Sequence, residues 1–350
     1  MLPLQIMKHF QSKHIYIIVA IILIIATALA GIRVYRLIFA GNVANNQYLY
    51  IHSDASFSQV LDSIYTKNIL KDTCGFKQLA QKKNYPSHIH AGKYKISVGM
   101  SNNDIVNMLR SGKQEPVKLT FNNIRTKQQL AQRIAQQLEC SAEDLLSLLQ
   151  DNDFWQQYDL NTENCMVVFL PNTYEFWWNT SAEAFIHRMY QEYTRYWNSS
   201  RTALAESIPL TPVEVSILAS IVEEENHLKT EQPTIAGLYL NRLYKNMPLQ
   251  SDPTLKFALG DFTIQRILNQ DKQIDSPYNT YTHTGLPPGP IRIPSLQAIE
   301  AVLHYEKHNY IYMCAKDDFS GRHNFSTNLA EHNRYAALYH AALNRQKIIR

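Results

Sequence analysis

The first strong pattern along the chain is an unbroken apolar run, IYIIVAIILIIATALAGI, from Ile15 to Ile32. It carries no charge and is long enough to cross a hydrocarbon core as a single helix. Its apolar character on every face separates it from a core helix of a soluble fold, in which apolar positions occupy one stripe. Lys8 and Lys13 precede the run, and Arg33 and Arg36 follow it. Flanking charge is therefore nearly even, and the positive-inside rule does not choose an orientation. With no small-residue cleavage site in view, the run reads as an uncleaved signal anchor.

Beyond a polar stretch around Gly41 to Asn46, the pattern becomes that of a small module of helices and strands. Ser56-x-x-Gln59 is a capping box ahead of Val60, Leu61 and Ile64, which share a helical face. Phe76, Leu79 and Ala80 predict a second short helix. Ala91-Gly92 then turns into Tyr94, Ile96 and Val98, alternating as in a half-buried strand. Ser101-x-x-Asp104 caps a helix carrying Ile105, Met108 and Leu109. Val117, Leu119 and Phe121 alternate as a further strand, and Thr126-x-x-Gln129 and Ser141-x-x-Asp144 open two more helices. The class is α+β, with no internal repeat.

The most informative helix starts at Thr211-Pro212-Val213-Glu214, where a cap, a first-turn proline and a third-position glutamate agree. It is predicted to run through VSILASIVEEENH, with Val215, Ile217, Leu218, Ile221 and Val222 on one broad apolar face. Glu223 falls on the opposite side, above Ser216, Ala219 and Ser220, whose small side chains leave room for a substrate groove. Glu225 projects near the centre of the apolar face, where desolvation would raise a carboxyl pKa as a general acid requires. The two carboxyls point nearly opposite ways, so only one can be the acid. On composition alone, the Glu223, Glu224, Glu225 run could equally be a solvated helix end.

Composition adds exclusions. The formal charge of +4, from 34 basic and 30 acidic residues, is spread along the 350 residues and leaves no footprint for nucleic acid. Cys74, Cys140, Cys165 and Cys314 lack zinc spacing, and sequence cannot pair them. His304 and His308 lie four apart on a helix that Pro294-Ser295 is predicted to start, followed by His323 and His332, yet no HExxH accompanies them. No metal and no cofactor are expected.

ILASIVEEE is followed in order by NRL at Asn241, NMPLQSDPT at Asn246, SPYNTY at Ser276 and GLPPGPI at Gly285, with PNTYEF at Pro171 upstream and NFSTNLAEHN at Asn324 downstream. Together these phrases resemble the MltG (YceG-like) family of endolytic murein transglycosylases. The resemblance implies a cytoplasmic N-terminus (1–14), a transmembrane helix (15–32), a linker (33–47), a LysM-like module (48–115) and a larger mixed α+β catalytic domain (116–350). It implies Glu223 as the catalytic acid/base, with Glu225 in support. Gln250, Asp252, Tyr278, Asn279 and Tyr281 are the candidates for holding sugar hydroxyls and the N-acetyl group.

The implied reaction is lytic cleavage of the MurNAc-GlcNAc bond to 1,6-anhydro ends. One carboxyl protonates the leaving oxygen and then takes the proton of the sugar's own 6-hydroxyl. A second carboxylate is not needed, unlike in the common two-carboxylate scheme. A partly dry groove around Glu223 is expected on this scheme. Implied surroundings are an inner-membrane protein with an extracytoplasmic catalytic domain, glycan strands as substrate and peptidoglycan synthases as partners in ending strand elongation. Two other readings are a non-catalytic wall-binding or divisome scaffold, and a hydrolytic muramidase that uses Asp252 or another carboxylate to activate water.

Overall fold

The structure, a computed structural model, describes residues 4–264 and 267–345. Residues 1–3 of the expected cytoplasmic segment, residues 265–266 and residues 346–350 lie outside the described residues, as do the side chains of Lys8 and Lys13. The chain divides into two compact units, residues 1–117 with 175–179, and residues 118–174 with 180–350.

The first unit begins with α1 (Leu4–Phe39), longer than the apolar run that announced it. Within it, His14–Phe39 is long and apolar enough to cross a membrane, and none of its 18-residue apolar window is buried by protein. The module follows as β1 (Gln47–Ile51), α2 (Phe57–Thr66), α3 (Thr73–Lys82), β2 (Gly92–Ile96) and α4 (Asn102–Arg110). β1 and β2 pair antiparallel, with Leu49 opposite Tyr94. Leu49, Ile51, Val60, Ile64, Phe76, Tyr94, Ile96, Ile105 and Leu109 close one core. Both capping boxes, at Ser56 and Ser101, are formed. Val98 is exposed beyond the end of β2, so that strand is shorter than its alternation suggested.

The polar stretch Gly41 to Asn46 is no loose linker. The Asn42 amide donates to the carbonyl of Asp72 (2.6 Å) and to Oδ1 of Asn102 (2.7 Å), and Val43 is buried. Asn102, itself buried, donates to the Leu37 carbonyl at the end of α1 (2.8 Å), while Ile38 packs on the module core. Two buried asparagines thus satisfy helix-end and loop groups that would otherwise be orphaned.

The second unit contains most of β3 (Val117–Thr120), then α5 (Lys127–Ala135), α6 (Ala142–Gln150), α7 (Asn152–Gln156), half of β4 (Thr173–Phe176), α8 (Ala182–Tyr196) and α9 (Ser199–Ser207). It continues through α10 (Pro212–Glu225), α11 (Gln232–Tyr244), α12 (Asp252–Leu259), α13 (Leu296–Leu303), β5 (Tyr312–Ala315), β6 (His323–Ser326) and α14 (Leu329–Arg345). β3 pairs with β4, and β5 pairs antiparallel with β6. Phe121 lies just past β3 but is buried. α10 runs through the middle of this unit, packed against α11, α12 and α13. The four cysteines are free thiols, and burial pushes that of Cys165 up to about 12.

Candidate active site

α10 starts where its sequence says. Oγ1 of Thr211 accepts from the Glu214 amide (3.2 Å), and the Glu214 carboxylate accepts from the Thr211 amide (2.7 Å). Its end is earlier than expected, because Asn226 leaves the helix in an extended conformation and donates to Oε2 of Glu231 (2.7 Å) and to the Gly321 carbonyl (3.1 Å). Glu223, Glu224 and Glu225 therefore make up the last turn. Three carboxylates at the negative end of a helix dipole are unfavourable unless each finds a donor or a cation.

The expected groove over Ser216, Ala219 and Ser220 is absent. All three residues are fully buried, and Oγ of Ser220 accepts from the Ile291 amide (3.1 Å). Their smallness admits protein: the chain at Ile291 and the helix α13 beyond it. Glu223 is correspondingly engaged. Its Oε2 accepts from the amide of Ser295, the N-cap of α13 (2.7 Å), and lies 3.8 Å from Nε of Arg292.

Glu224 is held more tightly. Arg125 bonds it through Nε (3.1 Å) and through one terminal nitrogen to both carboxylate oxygens (2.8 and 2.9 Å), and Arg292 adds a bond at 2.6 Å. Arg292 also donates to Asn123 (2.8 Å). Its side chain is only 5% exposed, so this is a largely desolvated cluster in which each charge depends on its partners. Glu223 and Glu224 thus each have donors on their carboxylates, from the Ser295 amide and from the two arginines.

Glu225 is placed differently. It lines a cavity of about 360 Å³ together with Tyr239, Arg242, Gln250, Lys272, Tyr281, Tyr312 and His332. The donors on its carboxyl are neutral: the Ser251 hydroxyl at 3.1 Å and the Tyr239 phenol. Desolvation and the nearby Asp252 charge push its pKa up to about 7, against the opposing pull of Ser251. Arg242 and Lys256 act on it only at a distance, and among the described residues no cation forms an ion pair with it as the two arginines do with Glu224.

The five candidate sugar-binding residues separate. Gln250 and Tyr281 line the cavity. Gln250 holds a left-handed backbone (φ 53°), fixed by its amide bond to the Thr280 carbonyl (2.9 Å), and its Oε1 accepts from Arg242 (3.2 Å). A non-glycine residue in that region is uncommon and requires such support. Asp252 accepts from the Tyr281 hydroxyl at 2.5 Å, which fixes both groups beside Glu225. Tyr278 instead donates to Oε2 of Glu163 (2.9 Å), and Asn279, fully buried, donates to the carbonyls of Lys272 and Ile274 (3.0 and 2.9 Å). These two organise the loop. Gly289 belongs to the same wall: a Cβ there would lie 2.0 Å from the Glu163 carbonyl oxygen.

His304 caps the end of α13 and His308 lies past it, so they share no helical face. His308 contacts the Thr234 carbonyl through Nε2 (2.8 Å), and His323 pairs with Glu231 (3.1 Å). No group of three or more potential metal ligands occurs among the described residues.

Sequence reading missed Arg242, Lys272 and His332. Arg242 donates through Nε to the Ile311 carbonyl (2.6 Å) and through NH1 to the carbonyls of Pro248 and Leu249 (3.1 and 2.9 Å), so it ties three segments around the cavity. The one available signal was its place in the NRL phrase. His332 stacks on Tyr312, and burial together with the Arg242 charge lowers its pKa.

The chemistry available here is proton transfer by one carboxyl, with amide, phenol and cationic groups around it. Comparison with known proteins gives the context. The profile of the YceG-like family matches residues 49–337. The chain is 31% identical over 312 residues to the endolytic murein transglycosylase of Bacillus subtilis (strain 168), a match covering 84% of this chain and 85% of that one. It is 29% identical over 317 residues to the endolytic murein transglycosylase of Streptococcus pneumoniae serotype 2 (strain D39), covering 82% of this chain and 57% of the pneumococcal one. A crystal structure of a yceG-like protein from Listeria monocytogenes matches with a TM-score of 0.55 at 29% identity, covering 83% of this chain and 98% of that one.

Proposed function

The chain belongs to the YceG-like family, and on that premise we propose that it is a membrane-anchored endolytic murein transglycosylase whose acid/base is Glu225. The observation that carries this reading is the cavity. Glu225 opens into it, with a pKa near 7 and Gln250 and Tyr281 beside it, whereas Glu223 is engaged by the Ser295 amide. The family resemblance implied Glu223, and the choice of Glu225 rests on that difference in surroundings.

In the proposed reaction, neutral Glu225 donates its proton to the glycosidic oxygen between MurNAc and GlcNAc as the bond to the anomeric carbon breaks. The resulting carboxylate takes the proton of the MurNAc 6-hydroxyl, whose oxygen closes onto that carbon and leaves a 1,6-anhydro end. Proton transfer of this kind contributes about 10²–10⁴-fold, most efficiently when the group titrates near the working pH. Tyr281 and Gln250 orient the sugar, and Asp252 holds Tyr281. α1 anchors the protein in the cytoplasmic membrane with the second unit outside the cytoplasm, where strands and their synthases are accessible and strand elongation can be ended.

The test is digestion of purified sacculi by the wild type, Glu225→Gln and Glu223→Gln, with mass spectrometry of the released ends. Glu225→Gln is expected to reduce release at least 100-fold, in line with loss of a general acid. Glu223→Gln should retain cleavage. Ends carrying an added water in place of the anhydro form would replace the lytic mechanism by hydrolysis, equal cleavage by all three proteins would overturn the assignment of Glu225, and no cleavage by the wild type would leave a wall-binding scaffold.

A further inference from the structure

The Glu225 cavity holds two cations of different standing. Arg242 is buried and its bonds go to the carbonyls of Pro248, Leu249 and Ile311 and to Gln250, so it serves as scaffold. Lys272 lines the same cavity, yet its ammonium forms no ion pair among the described residues. Its recorded contact is the face of Tyr281, 4.9 Å from the ring centre. Asp252, the carboxylate next to that ring, is already bonded to the Tyr281 hydroxyl. The backbone of Lys272 is fixed all the same, because buried Asn279 donates to its carbonyl at 3.0 Å. A pinned backbone thus presents an unpaired cation to a half-enclosed space, an arrangement that an arriving anion stabilises through a charge-assisted hydrogen bond.

We propose that Lys272 is a specificity-determining residue that receives a carboxylate of the substrate strand in the Glu225 cavity. This rests on the murein-cleaving reading above. Acetamido sugars are neutral, so the anion a murein strand can bring is a carboxylate. It is either the lactyl group of a muramic acid that has lost its peptide, or a carboxylate of the stem peptide. Both offer the same chemistry to an ammonium.

The experiment uses the full chain. Cleavage of peptide-free and of peptide-bearing strands is measured before and after carbodiimide amidation of their carboxyls, for the wild type, Lys272→Met and Lys272→Arg. Wild type and Lys272→Arg are expected to favour native over amidated strands by about tenfold in KM, the scale of one such hydrogen bond. Lys272→Met should lose that preference. Preference confined to peptide-free strands identifies the lactyl carboxylate, and preference confined to peptide-bearing strands identifies the stem. A preference that survives in Lys272→Met, or a wild type that treats native and amidated strands alike, overturns the proposal. Binding of N-acetylmuramic acid and of an N-acetylmuramyl peptide, each against its methyl ester, measured on Glu225→Gln and on Glu225→Gln/Lys272→Met by calorimetry, decides on Lys272 without turnover. Should Glu225→Gln still cleave, the acid assignment fails while this binding comparison stands.

Discussion

Replacing Glu225 by Gln should stabilise the protein by an amount that grows from about pH 4.5 and is complete above pH 7. The carboxyl is raised from 4.5 to about 7 on folding by desolvation and by Asp252. Below pH 4.5 it is protonated in both states and contributes nothing. Between 4.5 and 7 the unfolded chain ionises it and the folded protein does not, so stability falls as pH rises. Above 7 it is ionised in both states and the penalty is complete, about 3 kcal/mol at roughly 1.36 kcal/mol for each pH unit. Gln keeps the shape and never acquires the charge. Thermal unfolding of wild type and Glu225→Gln at pH 5, 7 and 8.5 should therefore give only a small difference at pH 5, where about a quarter of the penalty has developed. At pH 8.5 the variant should melt higher by about 6–12 °C, using roughly 2–4 °C per kcal/mol for a unit of this size. Cleavage by the wild type should fall over the same interval, because the proton donor is lost as pH passes 7. A midpoint difference that stays constant from pH 5 to 8.5 would refute the reasoning, since burial of this carboxyl would then carry no electrostatic penalty.

Arg292→Met removes a cation shared by Glu223 and Glu224 and leaves Glu224 on Arg125 and Glu223 on the Ser295 amide alone; a loss of about 3 kcal/mol or more is expected in urea titrations, with a lower midpoint at pH 7. Gly289→Ala places a Cβ against the Glu163 backbone, which cannot retreat like a side-chain tip, so soluble yield and melting temperature should both fall sharply. Asn102→Ala strips the Leu37 carbonyl and the Asn42 amide of a partner; a cost of about 1–3 kcal/mol should show as faster proteolysis between α1 and β1.

Much of this architecture could be read from local chemistry. The capping boxes at Ser56, Ser101, Thr126 and Thr211 lie within four residues and depend on little else, and all four are formed. The end of α10 was hidden because Asn226 is drawn out by Gly321, distant in sequence. Small residues on a helix face admit a ligand or a neighbouring backbone equally well; at Ser216, Ala219 and Ser220 only tertiary structure decides, and it decides for backbone. The same limit blurred the glutamates. The helical wheel put Glu223 and Glu225 on opposite sides, but the arginines that separate structural from available carboxyls come from positions 125 and 292. Asn279 looked like a sugar ligand because a loop amide is suited to either role, and its burial assigns it to the loop.

The last turn of α1 is bonded into the module by Asn102 and packed there through Ile38, so no swivel separates the two. Rotation of that helix about its own axis must turn the module with it, and a tilted helix must tilt the module by the same angle. Replacing Asn102 and Ile38 together by alanine would loosen this gearing while leaving every residue of the Glu225 cavity untouched.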